Sequence, residues 1–116
     1  MRNATALVVP SETAPDGDAE GCPMVLMQAQ AVGTPVITTR HAGNAEALPH
    51  EAQRFVVDEG DAEGLAAAMR DLIRLEPETR AQLQAAGRSW IETRFDIQRT
   101  VEQYDTLYRR LALPGA

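Results

Sequence analysis

Acidic side chains alternate along Asp16-Gly17-Asp18-Ala19-Glu20-Gly21-Cys22-Pro23, just ahead of a run of good helix formers. Carboxylates in this pattern could accept hydrogen bonds from hydroxyl groups or gather round a cation. The cation reading stalls on spacing. Counting from Asp16, a glycine stands sixth (Gly21), but the twelfth position is Met27, where a calcium loop needs a bidentate glutamate. Cys22 beside a helix N-terminus could have a lowered pKa. With no His or Asn arranged around it, a small buried thiol filling an apolar slot is the simpler reading.

Two elements must position this stretch. Before it, Ala4-Thr5-Ala6-Leu7-Val8-Val9 has the length and apolar character of a central strand. After it, Met24-Val25-Leu26-Met27-Gln28-Ala29-Gln30-Ala31-Val32-Gly33 reads as a helix closed by a C-terminal glycine. Pro23 falls where a first helical turn tolerates a missing N–H. Strand, polar loop, helix N-terminus: this order offers free backbone N–H groups and a positive dipole end to an anion. The alternative is an ordinary strand-to-helix connection that binds nothing. In that case Glu20 only stabilises the helix through its dipole.

Four ordered motifs carry a resemblance. Pro10-Ser11, then Glu20-Gly21-Cys22-Pro23-Met24-Val25-Leu26-Met27-Gln28-Ala29-Gln30-Ala31, then Gly33-Thr34-Pro35-Val36-Ile37, then His41-Ala42-Gly43-Asn44-Ala45-Glu46 resemble the donor-binding half of the group 1 (family 4) glycosyltransferases. The likeness runs from about Ala4 to Leu111. It implies the C-terminal, nucleotide-sugar-binding part of a GT-B fold, with residues 1–116 forming a single partial domain. An acceptor-binding domain and the first half of the donor-binding domain would lie outside this chain.

The resemblance also implies roles. Glu20 would contact the transferred sugar of the donor. Backbone N–H groups at Cys22, Met24 and Val25 would meet the diphosphate; Pro23 has none to give. His41 and Gly43 would line the pocket, although His41 can equally be a partly exposed loop residue and Glu46 a loop brace. The family has two glutamates eight positions apart, but here Gln28 stands where the second should hold the ribose. An amide can still engage a diol through one acceptor oxygen, without charge assistance. The basic residues that the family uses for the phosphates would lie upstream, and Arg40 is a weak substitute. The implied chemistry is sugar transfer with retention, from a donor such as a UDP- or GDP-sugar, with no metal or other cofactor. The chain alone is expected to be inactive.

Composition fits one ordinary globular unit, with 44% hydrophobic and 24% charged residues. Aromatics make up only 4%, so the core must come from Leu, Val, Ile, Met and Ala. A net charge of −6 excludes a basic nucleic-acid surface. The single cysteine permits no internal disulfide and suits a reducing cytoplasm. No apolar run reaches the length of a membrane span. Peripheral attachment to the inner membrane face, through the domain outside this chain, is compatible with that.

Downstream, Pro35-Val36-Ile37-Thr38-Thr39 and Arg54-Phe55-Val56-Val57 read as two further strands. Asp61 caps a helix with Leu65, Met69, Leu72 and Ile73 on one stripe. Pro77 opens another with Leu83, Ala86, Trp90 and Ile91 spaced for burial, and Asp96 caps the last, with Ile97, Val101, Tyr104, Tyr108 and Leu111 apolar. Pro114-Gly115-Ala116 is expected to fray. The expected fold is therefore α/β: a partial Rossmann-like, three-stranded parallel sheet flanked by helices, with C-terminal helices after it. The strand Ala4-Thr5-Ala6-Leu7-Val8-Val9 would present an open edge, a template for homodimerisation. That edge supports a competing reading: a non-catalytic fragment or assembly module.

Overall fold

A computed structural model describes residues 1–19, 21 and 23–112. The expectations for Glu20, Cys22 and Pro114-Gly115-Ala116 fall outside the described residues. Three parallel strands lie in the order β1 (Leu7–Val9), β2 (Val36–Thr39), β3 (Val56–Val57). Four helices accompany them: α1 (Met24–Ala31), α2 (Ala62–Ile73), α3 (Pro77–Arg94) and α4 (Ile97–Ala112). This is the open parallel α/β sheet that the alternation of apolar runs and helices predicts. Central β2 is buried along its whole length, as a strand covered on both faces must be.

β1 is shorter than predicted. Ala4, Thr5 and Ala6 lie outside it, and the Ala4 N–H donates to Met1 O at 3.0 Å in a turn. The reason lies in the neighbouring strand. The Leu7 N–H donates to Pro35 O at 2.9 Å, and Val36 is the first residue in register. Residues before Pro35 are spent closing α1, so Ala4 to Ala6 have no strand to pair with. Among the described residues the outer edge of β1 is open, as expected, with β2 its one partner strand.

α1 ends in a Schellman motif. Gly33 takes φ +81°, its N–H donates to Gln30 O at 3.0 Å, and the Thr34 N–H donates to Ala29 O at 2.9 Å. Only glycine adopts that backbone without strain, which explains the abrupt turn into β2. Pro23 is the N-cap residue, with extended ψ of 125°, rather than the first helical residue.

The third strand contains only Val56 and Val57; Arg54 and Phe55 belong to a 3₁₀ helix, His50–Phe55. Three hydrogen bonds wind the chain there. The Ala52 N–H donates to Pro49 O at 3.0 Å, and Gln53 Nε2 donates to Ala45 O (2.8 Å) and Leu48 O (3.1 Å). Phe55 then drops its ring into the core beside Leu26, Ile37, Leu48 and Leu72.

Asp61 caps α2 by accepting from the Gly64 N–H at 2.8 Å. The buried stripe is Ala68 and Leu72; Met69 and Ile73, expected inside, are exposed. On α3 the buried contacts are Leu83 and Gly87, while Trp90 and Ile91 are half-buried. Gly87 faces buried Gln30 of α1, whose side-chain carbon would stand 3.4 Å from an added methyl. Gln30 Nε2 donates to Leu26 O at 3.1 Å and to Ala47 O at 2.8 Å. α4 is capped by Asp96, whose Oδ1 accepts from the Gln98 and Arg99 N–H groups. None of its residues is buried, so its apolar stripe finds no cover among the described residues. Among the described residues no helix is long and apolar enough to cross a membrane.

Candidate functional site

Parallel register decides which residues meet at the carboxyl edge of the sheet. Thr38 pairs with Val56 and Thr39 with Val57, so the two strands leave the sheet level with one another. Two residues beyond each last pair come His41 and Glu59. They emerge side by side, and His41 Nδ1 lies 2.5 Å from Glu59 Oε1. The loop after β1 closes over them. The Thr13 N–H donates to Glu59 Oε2 at 3.3 Å and the Thr13 hydroxyl to Glu59 Oε1 at 3.2 Å.

The two threonines that end β2 hold this loop down. Thr38 Oγ1 donates to Val9 O at 2.8 Å and accepts from Asn44 Nδ2 at 3.0 Å. Thr39 Oγ1 donates to Ser11 O at 2.5 Å. The loop also organises itself: the Ala14 N–H donates to Asp18 O at 2.9 Å, and the Asp18 N–H to Asp16 Oδ1 at 3.1 Å. Beneath it lies a cleft of about 330 Å³ lined by Ser11, Glu12, Ala14, Asp18, Ala19 and His41. His41 is only 2% exposed.

The second loop reaches the start of α1 through one main-chain bond, from the Gly43 N–H to Gly21 O at 2.7 Å. At that helix start, the Leu26 N–H is the first to turn back, to Pro23 O at 3.1 Å. The Met24 and Val25 N–H groups precede it and belong to the open first turn. Met24 and Gln28 are exposed, and Val25 and Gly43 half-buried. Glu46 is exposed, in the 3₁₀ turn Ala45–Ala47. Arg40 is spent on an exposed pair with Asp58 at 3.6 Å. Thus His41 and Gly43 lie beside the loop that carries the acidic stretch, whereas Gln28 sits further along α1.

Known proteins resemble this chain in sequence. The family model described as glycosyl transferases group 1 matches residues 1–90, most of the chain. The chain belongs to the group 1 glycosyltransferases. It is 38% identical over 112 residues to an amylovoran biosynthesis glycosyltransferase of Erwinia amylovora, covering 97% of this chain and 27% of that protein. It is 33% identical over 111 residues to a putative colanic acid biosynthesis glycosyltransferase of Salmonella typhimurium, again 27% of the relative and 96% of this chain. A GDP-mannose-dependent alpha-(1-6)-phosphatidylinositol monomannoside mannosyltransferase of Mycobacterium tuberculosis is 30% identical over 110 residues, 94% of this chain and 26% of that protein. The chain therefore spans about 27% of the length of the first relatives it matches.

Within this group 1 glycosyltransferase chain, Glu59 is the site residue that motif spacing did not reveal. Its carboxyl is held below the ordinary value of 4.5, first by the hydrogen bond from His41 and then by the Thr13 N–H. Burial works against this and the Thr13 hydroxyl and the His41 charge work with it. An ionised carboxylate can only accept hydrogen bonds, so the proton between the two side chains resides on His41 Nδ1.

Strain is stored next to this pair. Ala42 has φ +44°, the one positive φ among the described non-glycine residues. A left-handed Cβ costs about 1–2 kcal/mol, and glycine relieves it while adding freedom to the unfolded chain. Ala42→Gly is therefore expected to stabilise the fold by about 0.5–1 kcal/mol. A denaturation midpoint shifted downward would show that the loop does not strain Ala42.

Proposed function

We propose that this chain is the donor-binding part of a retaining glycosyltransferase, which transfers a sugar from a nucleotide sugar to an acceptor. The supporting observation is the Gly43 to Gly21 bond, which joins the second loop to the start of α1 at the carboxyl edge of a parallel sheet. Open α/β sheets bind ligands in that crevice. In this reading the Met24 and Val25 N–H groups, with that of Cys22, meet the diphosphate at the positive end of α1. Glu20 contacts the transferred sugar and Gln28 the ribose, while His41 and Gly43 line the pocket. The leaving phosphate is stabilised by these N–H groups and by basic residues of the rest of the enzyme. The acceptor enters from a second domain, which can also seat the whole enzyme against a membrane.

GDP-sugars and UDP-sugars are the donors to titrate, the former because one relative is named for GDP-mannose. Amide shifts confined to 10–28 and 40–44 are the expected result. No saturation at millimolar donor would discard the reading. Gln28→Glu restores a charged acceptor for the ribose diol, and should tighten nucleotide binding by about five- to tenfold, since charge adds roughly 1 kcal/mol to a hydrogen bond. Unchanged affinity would remove Gln28 from the site.

The outer edge of β1 favours a second reading, a non-catalytic module that assembles by strand pairing. Its homodimeric form requires self-association. Sedimentation of the chain at rising concentration is expected to show a dimer if this edge pairs; a concentration-independent monomer eliminates that role.

A further inference from the structure

The geometry points to Glu59 as a positioning residue that holds His41 in one tautomer, so that Nε2 accepts a hydrogen bond from a hydroxyl of the donor sugar. This rests on the donor-site reading above and adds to it a residue and an atom. His41 lines the cleft yet is 2% exposed, so its ring is fixed by its surroundings rather than by solvent. Its Nδ1 faces Glu59 Oε1 at 2.5 Å, and the Thr13 hydroxyl stands 3.5 Å away. Glu59 is in turn anchored by both the N–H and the hydroxyl of Thr13. With the proton on Nδ1, the neutral form of the imidazole keeps its lone pair on Nε2. Among the described residues Nε2 has no hydrogen-bond partner.

The rest of the lining says which part of a nucleotide sugar this cleft can take. Glu12 and Asp18 supply carboxylates and Ser11 a hydroxyl. Two carboxylates repel a diphosphate but accept well from neutral hydroxyl groups. The anionic part therefore belongs at the start of α1, and the polyol part under the loop. His41 Nε2 adds a third acceptor to the two carboxylates. Discrimination follows, because an acceptor buried without its hydroxyl is costly, so a sugar lacking that hydroxyl is rejected.

The test uses the 116-residue chain with side-chain ¹⁵N spectra of His41. Without ligand, Nδ1 should carry the proton and Nε2 should be the bare nitrogen. Glu59→Gln, whose amide oxygen still accepts from Nδ1, should keep this pattern; Glu59→Ala should lose it. The opposite tautomer in the wild-type chain overturns the inference whatever the variants do. GDP- and UDP-sugars are then compared with GDP and UDP. A shift of Nε2 with the nucleotide sugar but not with the bare diphosphate supports the role. Glu59→Ala should weaken the nucleotide sugar about tenfold, the loss of one charged-network hydrogen bond, while leaving the diphosphate within about twofold. If the nucleotide sugar binds but Nε2 does not respond, the inference fails and the donor site stands. If neither ligand shifts any loop resonance, the donor-site reading fails and takes the inference with it.

Discussion

Replacing Phe55 with alanine is expected to remove about 3–5 kcal/mol of stability, the range for large aromatic truncations in a closed core. Its ring is 1% exposed and is the largest of the fully buried side chains among the described residues. It sits at the end of the 3₁₀ helix His50–Phe55, which packs on β2, β3, α2 and α3 at once. The hole left behind would be walled by separate elements, none of which can collapse alone. A domain of this size has total stability on the order of 5–15 kcal/mol, so the variant should lose a large fraction of it and unfold at a clearly lower urea concentration. Urea titration followed by tryptophan fluorescence checks this through Trp90, which is half-buried on α3. A loss below about 1.5 kcal/mol would mean that the core relaxes around the gap, contrary to close packing.

Thr38→Val should cost about 1–3 kcal/mol although it preserves shape, the penalty for leaving a buried polar group without its partner. The hydroxyl of Thr38 is fully buried. It donates to Val9 O and accepts from Asn44 Nδ2, so valine strands an amide at the second loop and removes one of two donors from a carbonyl on β1. Asn44 has little to offer in return, since its Oδ1 is already buried without a partner among the described residues. The damage should also be directional. Hydrogen exchange is expected to speed up along β1 and at 41–44, while α3 stays protected until global unfolding. Uniform acceleration would mean that Thr38 contributes to the core at large and does not pin the two loops.

How far the sequence foretold this structure depends on whether the cause was local. Gly33 announced the end of α1 because a left-handed turn needs glycine, and Asp61 and Asp96 announced helix starts by side-chain capping. Arg54 and Phe55 misled because an apolar residue beside two valines suggests a strand. The coil that claims them depends on Gln53 reaching Ala45 O and Leu48 O, contacts no pattern announces. α2 misled differently: in an alanine-rich helix two stripes are apolar, and neighbouring elements chose Ala68 with Leu72 over Met69 with Ile73. That His41 and Gly43 come beside the polar loop was legible through motif spacing. Glu59 was not, because it lies 18 residues from His41 on an unremarkable acidic turn. Only the pairing of Thr39 with Val57 places the two level, and that pairing required the third strand to be located correctly.

The carboxamide of Gln30 leaves the crevice without slack. It clasps Ala47 O, just beyond the loop that carries His41 and Gly43, while its stem belongs to α1 and lies against Gly87 of α3. It works as a tie-rod: a ligand that tugs the second loop also pulls a helix axis, and through it a second helix. The second loop is thus braced from α1 and α3, by side chains that line neither loop.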